Sequence, residues 1–282
     1  MVAGEEVNAS HQGSSEAAAA WTSPTRPARL PSTRALLARP PAAERFVIDA
    51  FSASDEVAMV RYRLRLPEPI AYKTIVLESN YTHTGRPKPL HIANALSAHE
   101  VRRFNVELVN VEFTAKQLRA ANCTGCGRAA PLTLENAQRS FVNALLLREI
   151  AALPAGRTAV VHMSDVDELL DPHAFSPSLV RTCATPVLRM FIYGERCSTA
   201  SPWGRSVLFN ATSGWFEARL KRFPDLQLRS KDRLRLVCPR LPGLLGWHFT
   251  YFMGTAHLLS KLRTFSHSTD GFVRAITHAD DP

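Results

Sequence analysis

The sequence predicts an α/β fold in which helices cover both faces of a mainly parallel β-sheet. Three observations support this class. Short apolar, β-rich runs alternate with helical segments along the chain, one segment (132–153) is a long helix without an internal breaker, and one run (158–164) is continuously apolar. This alternation is typical of parallel sheets. In such folds ligands bind at the carboxyl ends of the strands.

The first elements follow residue 44. The stretch RFVIDAF (45–51) predicts a strand, and SDEVAMVRYRLRL then predicts a helix capped by Ser54, with apolar residues at helical spacing. The stretch YKTIVLES (72–79) predicts a second strand that ends on Glu78. The polar stretch SNYTHTGRPKPL, with one glycine and two prolines, predicts a loop after this strand.

The later elements repeat the alternation. SAHEVRRF predicts a short helix and NVELVNVEF (105–113) a third strand, and the long helix at 132–153 has Thr133 as a candidate cap. The apolar run TAVVHMS (158–164) suits a strand that is buried on both faces. Two further strands and a last helix are predicted at 187–194, 243–252 and 254–265.

Residues 1–44 differ in composition from the rest of the chain. They are rich in Ala, Ser, Pro and Arg and show no sustained hydrophobic period. Such a segment buries too little apolar surface to offset its ordering entropy, so we expect a disordered tail, although an Arg- and Ser-rich transit peptide has a similar composition. We expect the folded domain to occupy residues 45–282.

The 282 residues carry a net charge of +9. A basic balance suits nucleic acid, anionic lipid or a phosphorylated ligand. No block of Lys and Arg is interleaved with aromatic residues, so the sequence does not favour nucleic acid. No stretch reaches the ~18 apolar residues of a membrane-spanning helix, and no signal-peptide pattern is present at the N-terminus.

Five cysteines occur in the sequence. An odd number in a chain of this length does not define a disulfide framework. The stretch CTGC (123–126) resembles half of a zinc site, but a second such pair is absent from the sequence. A local disulfide or two free thiols explain it equally well.

The stretch TAVVHMSDVDELLDP (158–172) ends an apolar strand with a cluster of acids at Asp165, Asp167 and Glu168. In an extended backbone Asp165 and Asp167 point to the same side. Two such carboxylates repel each other unless a cation or proton lies between them, and Mg²⁺ or Mn²⁺ would satisfy both. The alternative is a helix N-terminus, in which one Asp caps the helix and Glu168 lies near its dipole. Spacing alone leaves both interpretations open.

Two further stretches contain candidate binding residues. Arg86 and Lys88, in the loop after the second strand, suit a diphosphate or a sugar, or belong to a solvated loop. Trp247 and His248 lie in GWHFTYF, which suits the aromatic floor of a sugar pocket or a buried strand with a satisfied histidine. Glu78 and Asp165 both end predicted strands, so we expect them to line one crevice.

Four stretches, taken together and in this order, resemble glycosyltransferase family 17, whose members include β-1,4-mannosyl-glycoprotein 4-β-N-acetylglucosaminyltransferases. These stretches are VLESNYTHTGRPKPL, ENAQRSFVNALL, MSDVDELLDP and GWHFTYFMGTAHLLSKLRTFSH, and the resemblance spans about residues 45–268. It implies a GT-A-type nucleotide-sugar-binding fold. It also implies transfer of N-acetylglucosamine from UDP-GlcNAc to a mannose-containing glycan or glycoprotein, with inversion to a β-1,4 linkage.

The resemblance implies roles for particular residues. Asp165 and Asp167 correspond to the family's DxD pair, with Asp167 on a divalent metal, Mn²⁺ or Mg²⁺, and Asp165 assisting through the ribose or a water. A late histidine, His248 or His267, would complete the metal shell. The candidates for donor binding are Asp165, Arg86, Lys88, Arg139 and Trp247. The candidates for the base that inversion requires are Glu168, Asp270 and Glu78.

The sequence departs from the family pattern in two places, FSASDE and DELLDP. These departures motivate an alternative function, a nucleotide-sugar- or glycan-binding protein of the same fold without turnover. A phosphohydrolase that uses the two Asp residues ranks lower. Its chemistry usually requires a Thr or a similar residue after the acids, whereas Leu169 and Leu170 follow Glu168 here. The family resemblance points to the secretory pathway, whereas the missing anchor and signal peptide leave the compartment open.

Overall fold

The computed structural model describes residues 45–66, 73–121, 129–154, 158–175, 180, 182–192, 198–201, 206–211, 238–250 and 254–264. Nine strands and six helices lie in these ranges. In chain order they are β1 (Arg45–Ser52), α1 (Val57–Arg65), β2 (Lys73–Glu78), α2 (His91–Ala95), α3 (Ala98–Arg103), β3 (Val106–Asn110), α4 (Ala115–Ala121), α5 (Ala129–Ala151), β4 (Thr158–Asp165), β5 (Glu168–Leu170), a 3₁₀ turn (Pro172–Phe175), β6 (Cys183–Ile192), β7 (Ser198–Ser201), β8 (Val207–Asn210), β9 (Arg240–Thr250) and α6 (Thr255–Thr264).

The strands form one sheet in the order β3-β2-β1-β4-β8-β6-β9-β5, with β7 paired to β6. Its first half, β3-β2-β1-β4, is entirely parallel. In its second half β8 is antiparallel to both β4 and β6, whereas β6 and β9 are parallel. The predicted α/β fold with a helix-flanked sheet is therefore confirmed. The antiparallel pairings after β4 were not evident from the sequence.

Apolar side chains pack on both faces of the parallel half of the sheet. On one face Ile48, Ile75 and Val161 form a buried cluster with Val142 and Leu146 of α5. On a strand, successive side chains alternate between faces, so the residues next to these point the other way. Burying each aliphatic side chain contributes roughly 1.5–3 kcal/mol to the stability of the fold, so this cluster holds α5 firmly against the sheet.

The opposite face is covered by the first helices. Phe51 of β1 and Val76 of β2 pack there against Val60 and Leu64 of α1 and Ile92 of α2. The apolar spacing along α1 agrees with this burial. The sheet thus has helices on both faces, and the loops that follow the strands meet at one edge.

Two predicted caps are wrong. The first helix begins at Val57 rather than directly after Ser54, and its N-cap residue, Glu56, makes no side-chain capping bond. The backbone N–H of Ser54 instead donates to the Glu56 carboxylate at 2.8 Å. The long helix begins at Ala129, so Thr133 lies inside it.

Several expectations concern residues outside the described ranges. They are the tail at 1–44 and the CTGC stretch. In the described part of the chain, no helix is both long and apolar enough to cross a membrane.

A disulfide joins Cys183, the first residue of β6, to Cys238, two residues before β9. Both cysteines are buried, and 55 residues separate them in sequence. The bond ties the beginnings of two paired strands, β6 and β9, because Thr185 pairs with Arg240 nearby. Two irregularities in the pairing, between Thr185 and Val187 and between Val187 and Arg189, separate this tied end from His248.

We expect the double variant Cys183→Ala, Cys238→Ala to lower the free energy of unfolding by about 2–4 kcal/mol, because the unfolded chain regains the freedom of a long loop. Equilibrium urea denaturation measures the change. A reductant should destabilise the native chain by the same amount and leave the variant unaffected. Equal stability of the two proteins would contradict the expectation.

Candidate active site

A cleft of about 500 Å³ opens at the carboxyl ends of β1, β2 and β4. Ser52 and Asp165, the last residues of β1 and β4, pair in register and both line it. Ser79, directly after β2, lines it from the other side of β1. Two later elements, β9 and α6, complete the wall with His248 and Lys261. The cleft therefore lies where parallel α/β sheets bind their ligands.

Asp165 ends β4, Asp167 lies on the tight turn that leads to β5, and both line the cleft. Strand β5 holds this turn against β9, and the N–H of Phe249 donates to the Asp167 carbonyl at 2.9 Å. Gly246 permits the close approach, since a Cβ atom at this position would overlap the Leu169 carbonyl oxygen. The acids thus follow a strand, as predicted, and a short strand rather than a helix follows them.

Arg139 from α5 compensates the first acid. Its Nη2 lies 3.2 and 3.3 Å from the two carboxylate oxygens of Asp165. The same nitrogen lies 2.5 Å from Glu135, one helical turn earlier, which holds the guanidinium in place. Arg139 is buried and pairs with both carboxylates. It therefore compensates the charge of Asp165 while this carboxylate lines the cleft.

Asp167 and His248 lie next to each other on the side of the cleft formed by the paired strands β5 and β9. Asp167 Oδ1 lies 3.7 Å from His248 Nε2, too far for a hydrogen bond. Burial raises the pKa of Asp167 above its usual value, although Lys261 and His248 oppose the shift. The carboxylate therefore lies where an added cation would be favoured.

Asp167 Oδ1 and His248 Nε2 are candidate ligands of one divalent cation. Adjacent ligand atoms of an octahedral ion with bonds of about 2.1 Å lie roughly 3 Å apart, so these two atoms, at 3.7 Å, would have to move closer together to bind one ion. His248 Nε2 also lies 3.0 Å from Thr250 Oγ1, a contact that a bound metal would replace. Among the described residues no group of three His, Cys, Asp or Glu side chains is arranged to hold a metal. Mg²⁺ and Mn²⁺ tolerate such a sparse set, because water and phosphate oxygens supply their other ligands.

Lys261 of α6 brings a cation to the same wall. Its Nζ binds Glu56 Oε1 at 3.1 Å, and this pair joins the last described helix to the residue that precedes α1. Burial disfavours the charged forms of both side chains, but their mutual attraction is stronger. The pKa of Glu56 is therefore lowered and the pKa of Lys261 is raised. Lys261 also acts electrostatically on Asp167 and Asp165.

Two predicted base candidates point away from the cleft. Glu168 is fully buried, and its Oε2 accepts the backbone N–H of Asp165 at 2.9 Å. Glu78 is also buried, and it accepts the N–H groups of Ile92 and Ala93 at the start of α2. Neither carboxylate lines the cleft, so the crevice expected between Glu78 and Asp165 contains Asp165 and the neighbour of Glu78, Ser79.

The other predicted binding residues divide between the cleft and its surroundings. Lys88 lines the cleft and binds Glu78 Oε1 at 3.2 Å. Arg86 is exposed in the preceding turn and does not line it. Trp247 also lies off the cleft, because side chains alternate along β9 and His248 takes the cleft side. Asp270 and His267 lie outside the described residues.

Sequence reasoning missed Glu56 and Lys261. The signal was present, since Lys261 lies in the quoted stretch LSKLRTFSH and Glu56 ends FSASDE. A separation of 205 residues hid their pairing. His83 was missed as well, and it lines the cleft and bonds Gln138 of α5 at 2.9 Å.

A parallel half-sheet with an acidic turn at its carboxyl edge is typical of α/β proteins that bind their ligands at the strand ends. The family model described as glycosyltransferase family 17 matches residues 38–209, more than half of the chain. The chain belongs to glycosyltransferase family 17. No curated protein matches its sequence.

Solved structures show only distant similarity. Glucosyl-3-phosphoglycerate synthase from Mycobacterium tuberculosis, in complex with Mn²⁺, UDP and glucosyl-3-phosphoglycerate, is 14% identical, with 77% of this chain and 75% of that chain covered and a TM-score of 0.31. The glycosyltransferase GlyE of Streptococcus pneumoniae TIGR4 is 11% identical, with coverages of 68% and 40% and a TM-score of 0.30. At these scores the assignment rests on the family match.

We expect Glu168→Gln to lower the free energy of unfolding by about 1–3 kcal/mol, because a neutral amide weakens the buried bond to the Asp165 N–H. Urea denaturation measures this change, and Glu112→Gln, at an exposed position, is the control. If Glu168 were the catalytic base, the substitution would instead abolish turnover at unchanged stability.

Proposed function

We propose that this glycosyltransferase transfers N-acetylglucosamine from UDP-GlcNAc to a mannose-containing glycan, with inversion to a β-1,4 linkage and with a divalent metal. Membership of family 17 supports the reaction class. The observation that carries the metal-dependent part is the placement of Asp167 and His248, whose Oδ1 and Nε2 face each other at 3.7 Å in the cleft. The donor sugar and the acceptor follow from the family resemblance.

In this proposal Asp167 and His248 would hold the metal, with Asp165 beside them. When bound, the ion would neutralise the charge that builds on the diphosphate leaving group as the glycosidic bond breaks. The protein contributes the rigid turn that presents the acids. Arg139 keeps the Asp165 carboxylate oriented, since it binds both of its oxygens.

Two lysines would bind the donor phosphates in this proposal. Lys261 and Lys88 both line the cleft, and each is held by a single carboxylate, Glu56 and Glu78 respectively. An ammonium group held in this way can take a phosphate oxygen as a further acceptor, because it has three N–H donors. Lys261 lies on the Asp167 side of the cleft, so we assign it to the diphosphate.

Inversion in one displacement requires a base for the acceptor hydroxyl. Glu168 and Glu78 are engaged by backbone amides beneath the cleft and would have to break those bonds to act. Asp270 therefore stays the proposed base, on the sequence argument alone. Arg86 and Trp247 stay predicted donor contacts that their positions do not support.

The test of the metal-dependent reaction is UDP release from UDP-GlcNAc, with and without Mn²⁺ and with a mannose-containing acceptor. We expect Asp167→Ala to reduce turnover by at least about 100-fold, because even outer-shell partners of a metal contribute 10–100-fold. Asp171→Asn, in the same acidic stretch, should keep its activity. Circular dichroism should show both variants folded.

Full turnover in Asp167→Ala, or in an excess of chelator, would contradict the metal-dependent mechanism. UDP binding by calorimetry without turnover on any acceptor would instead support the alternative of a binding protein that keeps the fold.

We expect Lys261→Met to raise the KM for the UDP-sugar by about tenfold or more, since a charge-assisted hydrogen bond contributes ~1.5–3 kcal/mol. Steady-state kinetics of UDP release measures the effect. Lys73→Met is the matched control, because Lys73 is as little exposed (20% against 23%) and also pairs with carboxylates, but it lies off the cleft. An unchanged KM in Lys261→Met would remove this lysine from the donor site.

A further inference from the structure

A buried arginine lies directly beneath the acidic turn. Arg63 of α1 is 2% exposed, and its guanidinium carbon lies 4.0 Å from the centre of the Phe51 ring. It points into the sheet between β1 and β4, where the paired residues Asp49 and His162 lie. A buried guanidinium persists only where its charge is balanced and its donors are satisfied.

Asp49 balances the charge. The two side chains form a bidentate pair, with Nε to Oδ2 at 2.8 Å and Nη2 to Oδ1 at 2.6 Å. Burial disfavours the Asp49 carboxylate, but Arg63 outweighs it and holds the pKa of Asp49 well below its usual value. Burial also lowers the pKa of His162, which leaves the imidazole neutral beside the pair.

The remaining donors of Arg63 reach the strand end and the turn. Nη2 donates to Ser164 Oγ at 2.6 Å. Nη1 donates to the carbonyl oxygens of Asp165, Val166 and Glu168 at 2.7, 3.3 and 3.1 Å. All five N–H groups of the guanidinium therefore have acceptors.

The turn depends on these bonds. Of its four carbonyl oxygens, from Asp165 to Glu168, three accept from Arg63, and that of Asp167 accepts from Phe249. Buried carbonyls need such partners, so the backbone that carries the two acids is held largely by one side chain. Lysine, with three donors and no planar fork, cannot reproduce this pattern.

We propose that Arg63 is a positioning residue for Asp165 and Asp167, which sets the backbone conformation in which these acids face the cleft. It touches neither the cleft nor the acid side chains, so it acts through the turn. Its effect on metal and donor rests on the proposed function, whereas its effect on the turn does not.

The test uses Arg63→Lys in the full chain. Its matched control is Arg61→Lys, on the same helix, where Arg61 binds the Glu100 carboxylate and the Ala95 carbonyl with 41% of its side chain exposed. Hydrogen exchange of the metal-free proteins is followed by mass spectrometry for peptides that contain Asp165 and Phe249. We expect exchange there to quicken ~10-fold in Arg63→Lys and to stay unchanged in Arg61→Lys.

A kinetic readout separates positioning from general stability. In Arg63→Lys the Mn²⁺ concentration for half-maximal UDP release should rise by about tenfold or more, at unchanged KM for the acceptor. A purely structural role would lower the folded fraction without moving this concentration. Should Arg63→Lys fail to fold, Ser164→Ala removes one acceptor of Arg63, and we expect it to quicken exchange at the same peptides by a smaller factor.

The inference is overturned if Arg63→Lys folds and its turn peptides exchange at the same rate as in the unsubstituted protein. If Arg63→Lys does not fold, an unchanged exchange rate in Ser164→Ala overturns it instead. An absence of turnover in the native protein would defeat the proposed function alone, because the exchange experiment needs no metal or donor.

Discussion

The buried ion pair between Asp49 and Arg63 is the interaction on which the cleft depends. Removing two charges from water costs several kcal/mol for each ion, and the cost is offset only where geometry and hydrogen bonding are complete. Here the pairing is bidentate, and every donor of the guanidinium has an acceptor. Because breaking such a pair typically costs about 3–5 kcal/mol, the pair constrains α1, β1, β4 and the acidic turn together.

The pair also explains how an acidic turn can lie on an apolar sheet. The carbonyl oxygens of the turn are directed inward, to Arg63 and β9, and the carboxylates of Asp165 and Asp167 are directed to the cleft. Glu168 satisfies the N–H of Asp165 from beneath. Three acids close in sequence thus have different environments, because Asp165 and Asp167 line the cleft and Glu168 is buried beneath them.

The cleft brings charges from distant parts of the chain into one volume. Arg139 pairs with two carboxylates, Glu135 and Asp165, whereas Lys261 pairs with Glu56 and acts on Asp167 through space. Under the proposed function, these acids and cations would bind a diphosphate together with a divalent cation.

The sequence by itself determined the α/β class, the strands that end at Glu78 and Asp165, and the acidic pair at the end of β4, because hydrophobic periodicity and residue spacing are local properties. It also identified the family. Only the tertiary structure decided which polar residues face the cleft. Trp247 and His248 are neighbours in sequence, yet strand alternation and the pairing of β9 with β6 place them on opposite sides. Folding alone brings Lys261 to Glu56, which lies 205 residues away in sequence. It likewise brings Arg63 to the carbonyl of Asp165, 102 residues away. Sequence spacing carries no distance information over such separations, and so the support of the site became visible only in the folded chain.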